Sequence, residues 1–173
     1  MDIRIVKTKR AIRSAFLELR RQTPLEKIKV VDLCSIAEIN KTTFYKYYVD
    51  VLALNNSLEE EVFATFLKDF QHSHALFTDT ESFVAGLPAA FDTQAELITT
   101  LFHDRYEAFY NRLEQKMKDY YIANHPEQLS AIRVAFIVSG TVFLFKEMKR
   151  AKYTGANLET FNSEIVSIIR SLM

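Results

Sequence analysis

The sequence predicts an all-α protein, and three observations carry that prediction. Only three Gly and three Pro occur among 173 residues, too few for the turns of a sheet-rich fold. Apolar residues recur at i, i+3, i+4 and i+7 over nearly the whole chain, which is the helical period. Hydrophobic residues make up 49% of the chain and charged residues 25%, enough to build a core and to solvate its outside. The expected architecture is an N-terminal three-helix domain containing a helix-turn-helix, residues 1–50, and a C-terminal helical bundle, 51–173. The bundle is expected to form a homodimer through its last two helices.

Each element follows from its pattern. In the first helix Ile12, Ala15, Phe16 and Leu19 form one apolar stripe, with Arg10, Arg13 and Arg20 off it. Thr23-Pro24 ends it, because a residue before Pro avoids the α region. Val30, Leu33, Cys34 and Ala37 repeat the pattern in a short second helix. Asn40 is a good N-cap for a third, starting at Lys41. There Phe44 and Tyr48 point inward with Ile39, and Lys41, Thr42, Tyr45 and Lys46 fall on the other side. A longer helix to about Gln71 carries Val51, Leu54, Leu58, Val62, Phe66 and Phe70. Residues 72–81 read as a connection. A short helix fits 81–90, bounded by Gly86-Leu87-Pro88, with Asp92 or Thr93 capping the next element. Residues 94–122 form one long or one broken helix, with Leu97, Leu101, Tyr106, Phe109, Leu113, Met117 and Tyr120 inward and His125-Pro126 as its end. The helix at 127–150 is apolar almost all round from Ile132 to Phe145. Gly155 makes a turn. In the last helix Leu158, Phe161, Ile165, Ile168 and Leu172 are spaced 3, 4, 3, 4, an a/d seam.

The zero net charge is unevenly spread. Residues 1–50 hold 11 Lys and Arg against 6 Asp and Glu, a balance of +5 that the remainder mirrors as −5. A basic segment on an acidic body fits a polyanion-binding module on a carrier. Within it, a tight turn joins the second and third helices, and the third shows polar, basic and aromatic residues outward. This is the sequence form of a helix-turn-helix. Lys41 and Lys46 supply cations that can meet phosphates or guanine acceptors, and Thr42 and Thr43 supply hydroxyls. Tyr45 and Tyr47 pair an apolar body with a polar tip, suited to sugar and phosphate. Lys29, ahead of the second helix, adds a further cation.

The stretch from Lys27 to Tyr48, and above all Thr43-Phe44-Tyr45-Lys46-Tyr47-Tyr48, resembles the DNA-binding signature of the tetracycline-repressor (TetR) family. The resemblance covers about the first 55 residues. It implies a homodimer with one helix-turn-helix per subunit and a variable C-terminal domain that often binds a small ligand. It also implies that Thr43, Tyr45 and Lys46 contact phosphate or groove while Lys41 and Thr42 read bases. Against the family pattern, Lys29 replaces the usual Thr or Ser cap, Glu38 the Gly that opens the turn, Val51 a Lys, and Ile36 an Arg or Lys. A few members of the family act as coactivators docked on another protein, which is the alternative reading for this chain.

The body holds most of the 14 Phe and 8 Tyr. Two readings stand side by side, a plain aromatic core or a pocket for a small apolar ligand. For the pocket, the lining would be Phe63, Phe66, Phe102, Tyr106, Phe109, Phe136 and Phe143, with Arg105 as the polar anchor beside Arg112 and Arg133. The all-round apolar helix and the a/d seam require covering. Phe136, Phe143, Phe161, Ile165, Ile168 and Leu172 are therefore the expected dimer interface.

Other chemistry finds no foothold. No G-x-S-x-G, P-loop or Gly-rich dinucleotide turn occurs, so neither enzyme activity nor a cofactor is expected. Glu59, Glu60 and Glu61 read as a solvated face. Cys34, the one cysteine, reads as an inert packing residue. His72 and His74 lack nearby partners, so no metal site is expected. The charged N-terminus has no signal-peptide core, and the longest apolar stretch, Val134 to Phe145, falls short of a membrane span. The expectation is a cytoplasmic transcriptional regulator, a repressor on double-stranded DNA, relieved by a small molecule if the pocket exists.

Overall fold

The computed structural model describes residues 3–71, 76, 79–125, 127, 130–152 and 156–173. Phe70's side chain, His72, His74, most of the expected connection at 72–81, Pro126 and Gly155 fall outside the described residues. Regular structure among the described residues is helical, without a strand. No described helix is long and apolar enough to cross a membrane. The chain divides into two compact units, Met1–Val62 with Glu96–Asp104, and Phe63–Ala95 with Arg105–Met173.

The first unit is built on α1 (Ile3–Arg20), α2 (Val30–Ile36), α3 (Lys41–Tyr45) and the opening turns of α4 (Val51–Gln71). Ile12, Ala15 and Phe16 are buried as their spacing requires; α1 packs on α2 and α2 on α3, and Leu33, Cys34, Phe44, Leu54, Leu58 and Val62 are further buried apolar residues of the unit. After Thr23-Pro24 the chain makes one 3-10 turn, Leu25–Lys27, before α2. The unit reaches beyond residue 50 to Val62, and it takes in most of α6 (Ala95–Phe102), whose Ile98, Leu101 and Phe102 are buried.

Arg20 corrects the expected stripe. It is fully buried. At one and two turns from Phe16 and Ile12 it shares their face, so the guanidinium enters the core. Its Nη2 donates to the Asp104 carboxylate at 2.6 Å and to the Leu101 carbonyl at 3.2 Å, and its Nη1 donates to the Thr23 carbonyl at 3.3 Å. The same Nη1 lies 3.3–3.4 Å from the His103 ring nitrogens. The neighbouring Arg21 pairs with Glu96 in the first turn of α6. Consecutive arginines thus hold both ends of one eight-residue helix. Burial pushes the Asp104 carboxyl up, yet the hydrogen bond and charge of Arg20 outweigh it and hold the group below the usual carboxylate range.

Glu59 is a second correction. It is buried rather than solvated, and its Oε1 accepts from Asn55 Nδ2 at 2.6 Å. Positions 55 and 59 lie on the same helix face as Leu58 and Val62, so the apolar stripe of α4 carries a hydrogen-bonded polar pair at its edge.

The second unit contains the rest of α4, α5 (Thr80–Thr93), α7 (Tyr106–Asn124), α8 (Ala131–Ala151) and α9 (Ala156–Leu172). α7 packs on α8, and α9 packs on α5 and α8. α5 is longer than expected: it starts from an Asp79 cap and runs through Gly86-Leu87-Pro88. Pro88 removes one N–H from the ladder without ending the helix. Asp92 and Thr93 consequently belong to α5 and cap nothing. The 94–122 pattern is broken at 103–105, dividing it into α6 and α7. Phe109, Leu113 and Met117 are buried, but Tyr121 replaces the half-exposed Tyr120 on the inward face. The Tyr121 ring meets Phe83 edge-on at 6.0 Å and tilts against His125 at 5.8 Å, and burial pushes its hydroxyl well above the ordinary tyrosine range.

Replacing Arg20 by Ala should lower the unfolding free energy by about 3 kcal/mol, since two carbonyls and a carboxylate lose their buried donor; urea denaturation measures it. Asp104 contributes stability above its unfolded value near pH 3.9, and this is lost as pH falls through the lower folded value. Asp104→Asn should therefore show a shallower acid loss of stability than the parent, read from melting temperatures at a series of pH values.

Candidate nucleic-acid interface

The geometry between α2 and α3 is set by two hydrogen-bonded devices. At the end of α2, Glu38 N–H donates to the Ser35 carbonyl at 3.3 Å and Ile39 N–H to the Cys34 carbonyl at 3.0 Å. These are the two bonds of a Schellman ending. Its left-handed position is held by Glu38, φ 53°, where glycine has the advantage. Two residues on, the Asn40 side chain accepts from Thr43 N–H at 2.7 Å and starts α3. Phe44 is fully buried and anchors α3 to the core, its ring 5.5 Å from Tyr45 and 5.9 Å from Tyr48. Asp50 then caps α4, accepting from Ala53 N–H at 2.6 Å.

With Phe44 inside, the opposite face of α3 is outside. Lys41, Thr42 and Lys46 are exposed, and Tyr45 is 54% exposed. Thr43 and Tyr47 are half-buried. Lys29 is exposed as the N-cap of α2, with no side-chain cap bond. Every sequence-derived DNA-binding residue therefore lies on the first unit, and the four expected to face outward do so. Burial pushes the Cys34 thiol up against the pull of Lys41, so the cysteine is a neutral packing group. Sequence reasoning missed Lys9, whose ammonium lies 5.9 Å from the centroid of the Tyr47 ring. It also missed Val49 and Leu52, 78% and 53% exposed around the start of α4. Comparison with protein-family models and with curated proteins finds no match.

The sets expected in the body are placed differently. Phe63 and Phe109 stack at 5.6 Å, Phe66 meets Phe109 at 5.9 Å, and Phe91, Tyr110 and Phe145 extend the ring cluster. Tyr106 and Arg105 are half-buried, and Phe102 belongs to the first unit. Phe136 and Phe143 are corrections to the pocket lining: 65% and 58% exposed on the outer face of α8, they lie apart from the buried cluster. Arg112 stacks over Phe63 at 4.8 Å, while Arg133 is exposed and donates to the Met173 carbonyl at 3.3 Å.

Phe136 instead borders a groove of about 40 Å³ between α8 and α9, which Ile165, Ile168 and Leu172 also line. Gly140 lies in it, and a Cβ there would meet nothing within 4 Å. Of the expected interface, Phe136, Phe143 and Ile168 are exposed, Phe161 and Leu172 half-buried. Ile165 is a correction. It is buried within the chain, because the seam faces α5 and α8 at Phe161 and Ile165 before turning outward at Ile168.

Glu38→Gly relieves the left-handed strain and should raise stability by about 0.5–1 kcal/mol, net of glycine's greater freedom when unfolded. Equilibrium denaturation of the two chains is the check, and a loss of stability would contradict this account of the turn.

Proposed function

We propose that this chain is a homodimeric, sequence-specific DNA-binding regulator of the TetR type, acting as a repressor and not as an enzyme. The observation that carries the reading is the outward face of α3. Lys41, Thr42, Tyr45 and Lys46 are solvent-facing on a helix whose other side is locked by Phe44. Such a face suits a major groove flanked by phosphates. The resemblance of Lys27 to Tyr48 to the family signature supports the same reading. The exposed apolar residues of α8 and α9, with the open notch at Gly140, support self-association, since a symmetric partner would cover them. Two heads would then enter successive grooves about one turn apart. A small apolar ligand preferring another head spacing would relieve repression, and in this reading its seat is the aromatic interior of the second unit.

A second reading, a coactivator docked on a partner protein, is favoured by the exposed Val49 and Leu52 flanking the anionic Asp50. A DNA-contacting edge would carry cations there.

Binding to DNA from upstream of its own gene should weaken steeply with salt, with a log–log slope of about −0.9 per phosphate contacted. No binding at low salt removes the DNA reading and leaves the partner reading. Lys46→Ala should weaken all duplexes alike, whereas Lys41→Ala and Thr42→Ala should change sequence preference. Replacing Phe136 and Phe143 together by Glu should give monomers in light scattering; Ile165, being internal, would report on folding instead.

A further inference from the structure

The first half of α1 has a role that the helix-turn-helix does not use. No residue of α1 before Ile12 is buried, so roughly 13 Å of helix extends past the core. This stretch carries Arg4, Lys7, Lys9 and Arg10, and no Asp or Glu occurs from Ile3 to Leu17. Lys7 and Arg10 are i, i+3 neighbours of like charge, a mildly destabilising pairing, and neither makes an ion pair among the described residues. The concentration of positive charge is thus mildly unfavourable in the isolated chain and is stabilised beside a polyanion. The stretch also adjoins the α3 face, because Lys9 lies over Tyr47, the residue next to Lys46. A membrane surface fits less well. At 100° per residue, the exposed Ile3, Val6 and Ile5 are interrupted by Lys9 and Arg10, which fall inside the arc they span, so they form no continuous apolar stripe of the kind an interfacial helix needs.

We propose that the N-terminal half of α1 is a second DNA-contacting element, in which Lys7, Lys9 and Arg10 bind phosphates beyond those reached by Lys46. This rests on the DNA-binding reading above and adds contacts that set affinity and not sequence preference.

The test is fluorescence anisotropy of the full-length chain with a labelled mixed-sequence duplex over a range of salt, comparing wild type, Lys46→Ala, a triple Lys7→Ala, Lys9→Ala, Arg10→Ala variant, and a charge-preserving Lys7→Arg, Lys9→Arg, Arg10→Lys variant. The triple alanine variant should bind about tenfold or more weakly, with a log–log slope shallower by about 2–3, and the charge-preserving variant should retain the slope. If Lys46→Ala flattens the slope and the triple alanine variant does not, the α1 proposal fails while the DNA reading survives. If the wild type fails to bind the duplex at low salt, both fail. Weakened binding at unchanged slope, or loss of slope in the charge-preserving variant, makes the effect structural and overturns the proposal. So does binding of the wild type to phosphatidylserine vesicles in preference to the duplex.

Discussion

The first unit depends on one buried cation. A guanidinium with no solvent needs partners for its donors, and the two terminal nitrogens of Arg20 meet a carboxylate, two main-chain carbonyls and an imidazole at once, while Nε is buried without a partner. Those acceptors come from both ends of the unit's discontinuous sequence, the Thr23 turn after α1 and the end of α6 with its following loop. A hydrophobic contact at this place would join the same elements without fixing their register. The planar fork of arginine fixes it, because its hydrogen bonds have direction. Arg21 and Glu96 repeat the join at the other end of α6 on the solvent side.

On this base the exposed face of α3 is assembled by short-range devices. The Schellman ending turns the chain, Asn40 restarts it, and Phe44 decides which side of α3 is hidden. None of these needs a distant partner except the ring of Phe44, which explains why α2 and α3 were so legible: cap, spacing and aromatic anchor all sit within a dozen residues. The helical character of the described residues, most of the stripes of α1 and α4, and the outward set on α3 were readable for the same reason.

What escaped the sequence was governed by contacts distant along the chain. Arg20 continues the Ile12–Phe16 stripe, but a charged side chain reads as surface until Asp104 and Leu101 are known to lie opposite. Glu59 is hidden in the same way, beside Asn55 on a buried face. Pro88 looked like a helix boundary, because its cost is local while the packing of α5 against α9 that offsets it is not. Ile165 and Ile168 obey one heptad pattern, yet one is internal and the other exposed; periodicity assigns residues to a face without saying whether the same chain already covers it. The aromatic residues show the same ambiguity: Phe109 and Phe136 are alike in the sequence and opposite in burial.

The interrupted composition of the first unit also has a consequence for synthesis. Residues up to Val62 leave the ribosome well ahead of Glu96–Asp104, with all of α5 emerging between them. Throughout that interval the nascent Arg20 has neither Asp104 nor the Leu101 carbonyl to receive its protons, so α1 cannot close its own core on the terms the finished protein uses. The N-terminal helices complete the first unit's core only once residue 104 has emerged, so folding of this unit does not run strictly from the N-terminus.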